Sequence, residues 1–117
     1  MSENLKVDYV EWPARDFDAV QAFYEQVFGW TFTDYGPDYR AFIDGRLEGG
    51  FYKAEKQSST TSGAALVVIY ALDLEQAREA VVAAGGTLVK DIFSFPGGRR
   101  FQFTDPNGNE LAVWSDK

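Results

Sequence analysis

The chain has 117 residues, the length of one ordinary domain, and its 45% of hydrophobic and 16% of aromatic residues are enough for one core. Cysteine and histidine are both absent, which excludes disulfides, thiolate nucleophiles and metal sites built on sulfur or imidazole. Eighteen acidic against eleven basic residues give a net charge of -7, and the basic residues are scattered except for Arg99 and Arg100, so the sequence predicts no nucleic-acid partner.

The location of the protein is also predicted from composition. Absence of cysteine favours a reducing compartment. Residues 1–6 have neither the basic start nor the apolar run of a secretory signal, and no apolar stretch approaches the length of a membrane span. We therefore expect a soluble cytoplasmic protein with no membrane partner.

The first half of the chain predicts a strand, a helix and three further strands. Residues 7–14 are rich in Val, Tyr and Trp, as strands are. Asp16 is then a typical helix N-cap, and Gly29 is a typical stop after a helix that ends near Phe28. The three further strands are predicted at residues 30–33, 39–43 and 50–53.

The second half repeats this order. Asp73 follows Asp16, and Gly86 follows Gly29, by the same 57 positions, which indicates an internal duplication. Its strands are predicted at residues 66–71, 87–90, 100–104 and 110–115. The fold class is therefore α+β, with two tandem βαβββ modules. We predict a single domain over residues 1–117, built from module 5–53 and module 64–115 and joined by a polar, flexible linker over 54–63.

Several phrases of the sequence resemble the vicinal oxygen chelate superfamily. This superfamily includes glyoxalase I, extradiol dioxygenases, fosfomycin-resistance enzymes and bleomycin-binding proteins, and the chain is most similar to its small glyoxalase-like bacterial members. The resemblance implies that the modules form a curved mixed sheet around a cavity, and that the protein is a homodimer. The phrases are Glu11–Asp16 (EWPARD), Ala22–Trp30 (AFYEQVFGW), Ala83–Gly86 (AAGG), Phe95–Gly98 (FPGG) and Phe103–Glu110 (FTDPNGNE).

The same resemblance allows the metal ligands of the family to be checked one by one. The first ligand position of each module is occupied by Tyr9 and Leu66, and the end of the first module offers Gly49 or Leu47. Only Glu110 matches. Phenol is a poor ligand for the usual divalent ions and leucine is none, so we predict no cofactor and no metal. The alternative is an all-oxygen Mg²⁺ or Mn²⁺ site that combines Glu110 with Glu11 and Gln102.

Strand alternation predicts a set of side chains that share one face and line an aromatic pocket for a small molecule. Glu11 is a candidate general base, because burial beside aromatic rings would raise its pKa, and Tyr9 and Glu110 are further catalytic candidates. The predicted pocket residues are Tyr9, Glu11, Leu66, Tyr70, Arg100, Gln102, Glu110 and Trp114.

Each of these residues also has a structural interpretation. Glu110 could pair with Arg100 or cap its hairpin, and Tyr9 could simply pack on a half-buried strand. Trp114 could stack on a planar ligand or cover a dimer interface. Arg99 and Arg100 could hold an anionic substrate or stay solvated.

Three functions are compatible with the sequence. The first is a glyoxalase- or bleomycin-resistance-like protein that binds a small molecule in a metal-independent aromatic pocket. The second is a lyase, isomerase or dioxygenase-type enzyme with metal-free acid–base chemistry or an atypical oxygen-ligand metal site. The third is a dimeric scaffold whose pocket is filled by Trp12, Trp30, Tyr70 and Trp114.

Overall fold

The structure, a computed structural model, describes residues 2–117 and contains two helices and eight strands arranged as two βαβββ modules. The first module has β1 (Tyr9–Ala14), α1 (Phe17–Phe28), β2 (Thr31–Asp34), β3 (Tyr39–Ile43) and β4 (Glu48–Lys53). The second has β5 (Val67–Tyr70), α2 (Leu74–Ala83), β6 (Thr87–Phe95), β7 (Gly98–Thr104) and β8 (Glu110–Ser115). The tandem βαβββ organisation predicted from the duplication is therefore confirmed.

Each module folds into its own four-stranded mixed sheet. The strand order is β1-β4-β3-β2 in the first sheet and β5-β8-β7-β6 in the second. In both sheets the first and last strands of the module run parallel, and the other pairs are antiparallel. Because the first and last strands lie side by side, residues far apart in sequence, such as Glu11 and Gly50, become direct neighbours.

The helices begin and end where the local sequence signals lie. The carboxylate of Asp16 accepts from the backbone N–H of Ala19 at 3.2 Å, and Gly29 ends α1 with a φ of 72°. In the same way Asp73 caps α2 by accepting from Gln76. Neither helix of residues 2–117 has the length and apolar character needed to cross a membrane.

One face of each sheet packs against the helices and forms a shared core. In the first module the core is a stack of aromatic rings, in which Tyr24 and Trp30 lie 4.5 Å apart and nearly parallel. In the second module Phe101 and Phe103 are fully buried. Phe23 of α1 contacts Phe103 at a ring distance of 5.8 Å, so the two modules share one continuous core.

The turn between β7 and β8 fastens the modules together. Asp105, Asn107 and Asn109 are all buried there. The amides of Asn107 and Asn109 both donate to the carbonyl of Pro13 in β1, at 3.0 and 2.8 Å. The segment that joins the modules is fixed to the same turn, because the N–H of Ser58 donates to Asn109 Oδ1 and the N–H of Glu110 donates to the carbonyl of Ser58. The segment is therefore attached to the second module through the backbone of Ser58.

Candidate functional site

The faces of the two sheets that point away from the helices carry the candidate site. We call them the first open face, formed by β1 to β4, and the second open face, formed by β5 to β8. Several large apolar side chains on them remain exposed in the single chain, which is unusual for a closed monomer surface. They are Tyr9, Ile43 and Tyr52 on the first open face, and Val68 and Tyr70 on the second.

A directed hydrogen-bond chain lies on the first open face. The Tyr39 hydroxyl donates to Glu11 Oε2 at 2.7 Å, and the hydroxyls of Tyr9 and Tyr39 lie 2.6 Å apart. Because a phenol has one proton and Tyr39 gives its own to Glu11, Tyr9 is the donor to Tyr39. The chain therefore runs from Tyr9 through Tyr39 to the Glu11 carboxylate.

A glycine makes this arrangement possible. Gly50 in β4 is the direct neighbour of Glu11 in β1 and of Ala41 in β3. A Cβ atom at Gly50 would collide with the ring and hydroxyl of Tyr39. The absence of a side chain therefore allows Tyr39 to lie across β4 and reach the two side chains of β1.

The burial expected for Glu11 is not found, because its side chain is exposed in the single chain. The pKa of Tyr39 is raised by partial burial and by its hydrogen bonds with Tyr9 and Glu11. Tyr39 therefore keeps its proton at neutral pH and acts as a hydrogen-bond donor.

Glu110 lies at the start of β8 with its carboxylate buried and fully engaged. Its Oε1 accepts from the backbone N–H and the hydroxyl of Thr60, at 2.9 and 2.8 Å. Its Oε2 accepts from the side-chain amide of Gln102 at 2.8 Å. Burial acts to raise the pKa of Glu110, but the hydrogen bonds from Thr60 and Gln102 outweigh it, and the pKa is lowered. Glu110 is thus an ionised anchor for the linker, and it meets Arg100 only through Gln102.

These residues do not fit the metal centre of the resembling family. Leu66 precedes β5 by one residue, and the Val67–Leu111 pairing places it beside Glu110 with no donor atom to offer. The all-oxygen alternative does not fit either. Glu11 lies in the first sheet, whereas Glu110 lies in the second. The amide oxygen of Gln102 already accepts from Arg100, and its amide nitrogen donates to Glu110. Within residues 2–117, no three acidic side chains group together in a way that could hold a metal ion.

Arg100 occupies the centre of the second open face. Its Nη2 donates to Gln102 Oε1 at 3.2 Å, and its guanidinium lies 5.3 Å from the ring centre of Phe93 and 5.9 Å from that of Phe95. Trp114 is its direct neighbour on β8. The ring of Trp114 also meets that of Tyr70 edge-on at 5.2 Å.

The predicted pocket residues therefore form two groups. Tyr9 and Glu11 are on the first open face, whereas Tyr70, Arg100, Gln102, Glu110 and Trp114 are on the second, with Leu66 at its edge. Within residues 2–117, no hydrogen bond, ion pair or aromatic contact joins the two groups. Two surface cavities, of about 320 and 390 Å³, lie instead beside α1, one against the β7–β8 turn and one against Arg40.

Three residues of the site were not predicted from the sequence. Tyr39 points to the same face of β3 as Ala41 and Ile43, and buried Phe42 points to the other. This alternation in the sequence could have placed Tyr39 on the open face. Phe93 lies outside the strand predicted at residues 87–90, which in the structure continues to Phe95 as β6. Thr60 lies in the linker, where no periodic pattern exists. Trp12 and Trp30 are on the helix side, so they do not fill the pocket as the scaffold hypothesis required.

Comparisons with known proteins agree with this architecture. A glyoxalase/bleomycin resistance protein/dioxygenase family enzyme from Burkholderia phytofirmans superposes with a TM-score of 0.79 at 22% identity, covering 95% of this chain and 100% of that one. A lactoylglutathione lyase from Agrobacterium tumefaciens gives a TM-score of 0.72 at 20% identity, with 97% and 96% covered. A fosfomycin resistance protein from Mesorhizobium loti gives 0.74 at 18% identity, with 98% and 93% covered.

These likenesses show the fold, and identities this low do not transfer an activity. Comparison with curated proteins finds no match. The family assignment comes from the sequence, since residues 6–113 match the family model described as Glyoxalase/Bleomycin resistance protein/Dioxygenase superfamily. The chain belongs to this superfamily.

Proposed function

We propose that this protein binds a small molecule in a metal-independent aromatic pocket formed by its open sheet faces. The observation that carries the proposal is the combination of polar groups with exposed aromatic rings on those faces, which is the usual composition of a ligand site. The full engagement of Glu110 within the protein supports the metal-independent part.

The pocket requires a second copy of the chain in this proposal. Each open face exposes apolar side chains that one chain alone does not cover. The two faces also differ in charge, because the first carries the carboxylates of Glu11 and Glu48, whereas the second carries two cations, Lys90 and Arg100, and one carboxylate, Glu110. A homodimer in which the first open face of one copy meets the second open face of the other would bury the apolar groups and enclose a cleft between opposite charges.

A thermal-shift screen tests the proposal. Aromatic acids, cationic glycopeptides and 2-oxoaldehyde adducts are the probe classes, since a ligand selective for the folded state raises the melting temperature. We expect at least one class to stabilise the protein, and sedimentation to show a dimer. A screen without any stabilising probe would overturn the binding function. Elemental analysis after dialysis tests the metal-independent part, and stoichiometric Zn, Ni, Fe or Mn would overturn it.

The second candidate is a metal-free lyase or isomerase, and one observation favours it. The chain from Tyr9 through Tyr39 to Glu11 combines a proton donor and a carboxylate within 2.7 Å, which is an acid–base arrangement. NMR-monitored turnover of the glutathione hemithioacetal of a 2-oxoaldehyde tests this candidate with the wild type and Glu11→Gln. Conversion by the wild type that is lost in Glu11→Gln would establish the enzymatic function. Equal conversion by both proteins would exclude Glu11 as the base.

A further inference from the structure

We infer that Arg100 is the anchor of an anion site on the second open face, which takes the carboxylate of a flat aromatic acid. This inference rests on the proposed function and names the chemical class of its ligand.

Arg100 is a cation without a carboxylate partner in residues 2–117. The other arginines with part-buried side chains, Arg40, Arg78 and Arg99, each form an ion pair with an acidic residue. Arg100 instead donates to the neutral amide of Gln102. Its Nε, like that of Arg40, is buried with no hydrogen-bond partner. In a protein with a net charge of -7, an arginine left unpaired beside an open face indicates that its counter-ion comes from outside the chain.

The surroundings of Arg100 are aromatic. Phe93 and Phe95 lie against the guanidinium, and Trp114 flanks it on the neighbouring strand, 6.4 Å from the ring of Phe95. Phe93 pairs with Arg100 after a shift in register, because two residues separate Lys90 from Phe93 in β6 and only one separates Gln102 from Arg100 in β7. A register shift of this kind is typical of a β-bulge, and bulges are common next to binding sites.

The guanidinium is also held in one orientation. Glu110 accepts from the amide nitrogen of Gln102, which turns the amide oxygen of Gln102 toward Arg100. Glu110 is therefore a positioning residue for Arg100. A fixed, planar guanidinium offers two parallel N–H donors, which match the two oxygens of a carboxylate, and the rings beside it suit an aromatic body. Lys90, whose ammonium lies 5.5 Å from the ring centre of Phe93, adds positive charge.

A ¹⁹F NMR titration of the full chain with 4-(trifluoromethyl)benzoate tests the assignment, and 4-(trifluoromethyl)benzamide serves as the neutral match of the same shape. We expect a saturable shift for the carboxylate and at least tenfold weaker binding of the amide. Arg100→Gln should raise the Kd of the carboxylate at least tenfold, and Arg100→Lys should keep only part of the affinity, because lysine has the charge without the planar pair of donors.

Arg99→Gln is the matched control. Arg99 is the adjacent residue, is directed to the helix side and is paired with Glu75 of α2, so its loss should change the Kd by less than a factor of two. The anion site would be overturned if the carboxylate and the amide bound with equal Kd and Arg100→Gln left the Kd of the carboxylate unchanged. That result would leave the small-molecule pocket intact. Binding of neither probe would also overturn the anion site, while the thermal-shift screen still decides the pocket. A folded Arg100→Gln that becomes monomeric would place Arg100 in the subunit interface and overturn the assignment.

Discussion

The Tyr24 hydroxyl donates a hydrogen bond of 2.9 Å to Asp105 Oδ2, and this buried contact joins the first helix to the turn before the last strand. Asp105 also accepts from the backbone N–H groups of Asn107 and Asn109, at 2.8 and 3.0 Å. The phrase that resembles the family is therefore first a structural joint between the modules.

Removal of the Tyr24 hydroxyl tests this joint. We expect Tyr24→Phe to lower the free energy of unfolding by about 1–3 kcal/mol, because the buried carboxylate of Asp105 loses the hydrogen bond donated by the Tyr24 hydroxyl. Urea denaturation measures the change. Tyr35→Phe is the control, because Tyr35 is 67% exposed and its loss should have an effect within about 0.5 kcal/mol. Equal effects of the two variants would contradict the role of the joint.

The stability should depend on pH through Asp105. Burial raises the pKa of Asp105 above its ordinary 3.8, although the hydrogen bonds from Tyr24, Asn109 and Asn107 oppose this. A raised pKa means that the folded protein keeps a proton which the unfolded chain releases. The contribution of Asp105 to the free energy of unfolding is therefore fully present below pH 3.8 and is lost as the pH rises through the folded pKa. The stability of the wild type relative to Asp105→Asn should therefore fall in urea titrations as the pH rises above 3.8. A relative stability that rises with pH would contradict this sign.

Gly49 and Gly50 offer a matched pair of substitutions that should destabilise the protein by unequal amounts. A Cβ at Gly49 would collide with the backbone carbonyl of Val10 and the buried ring of Phe42, whereas one at Gly50 would meet only the movable Tyr39 side chain. We expect Gly49→Ala to cost about 3 kcal/mol or more of unfolding free energy, at the upper end of overpacking costs, and Gly50→Ala about 1 kcal/mol or less. Urea denaturation measures both.

The Gly50→Ala variant should also separate Tyr39 from Glu11, which changes the NMR signals of the Tyr39 ring. An unchanged Tyr39 spectrum would mean that the ring does not lie across β4. A cost for Gly50→Ala equal to that of Gly49→Ala would mean that Tyr39 cannot move aside.

Glu110 should control the order of the linker. Glu110→Ala removes the acceptor of the Thr60 N–H, and hydrogen bonds to charged groups contribute about 1.5–3 kcal/mol, so amide exchange at Thr60 should become at least about tenfold faster. Hydrogen-exchange NMR measures this rate. Glu55→Ala is the control, because Glu55 is an exposed residue of the same linker. Unchanged exchange at Thr60 in Glu110→Ala would show that the linker is held without Glu110.

Local signals in the sequence were sufficient for the elements and the core. Asp16 and Asp73 act within one helical turn, and the alternation of Phe101 and Phe103 with Arg100 and Gln102 needs only the pleat of a single strand. Such features depend on neighbours in the chain, so the fold could be predicted from them.

The candidate site depended on features that a single strand does not show. The contact of Tyr39 with Glu11 requires the register of three strands and a glycine in the middle one. The position of Phe93 beside Arg100 requires β6 to continue past Lys90 to Phe95 and its register with β7 to shift twice, and residues 87–90 show neither feature. Alternation placed Glu11 and Glu110 on open faces, but it could not show that the two faces belong to different sheets of one chain.

The three tryptophans occupy two different environments, which makes the protein its own optical probe. Trp12 and Trp30 are only 2% and 7% exposed within the aromatic core, whereas Trp114 is partly exposed on the second open face. Intrinsic fluorescence of Trp12 and Trp30 should therefore follow unfolding, and a soluble quencher should reach Trp114 first. Protection of Trp114 from that quencher gives an occupancy signal for the face without any label, and a Trp114→Phe variant supplies its blank.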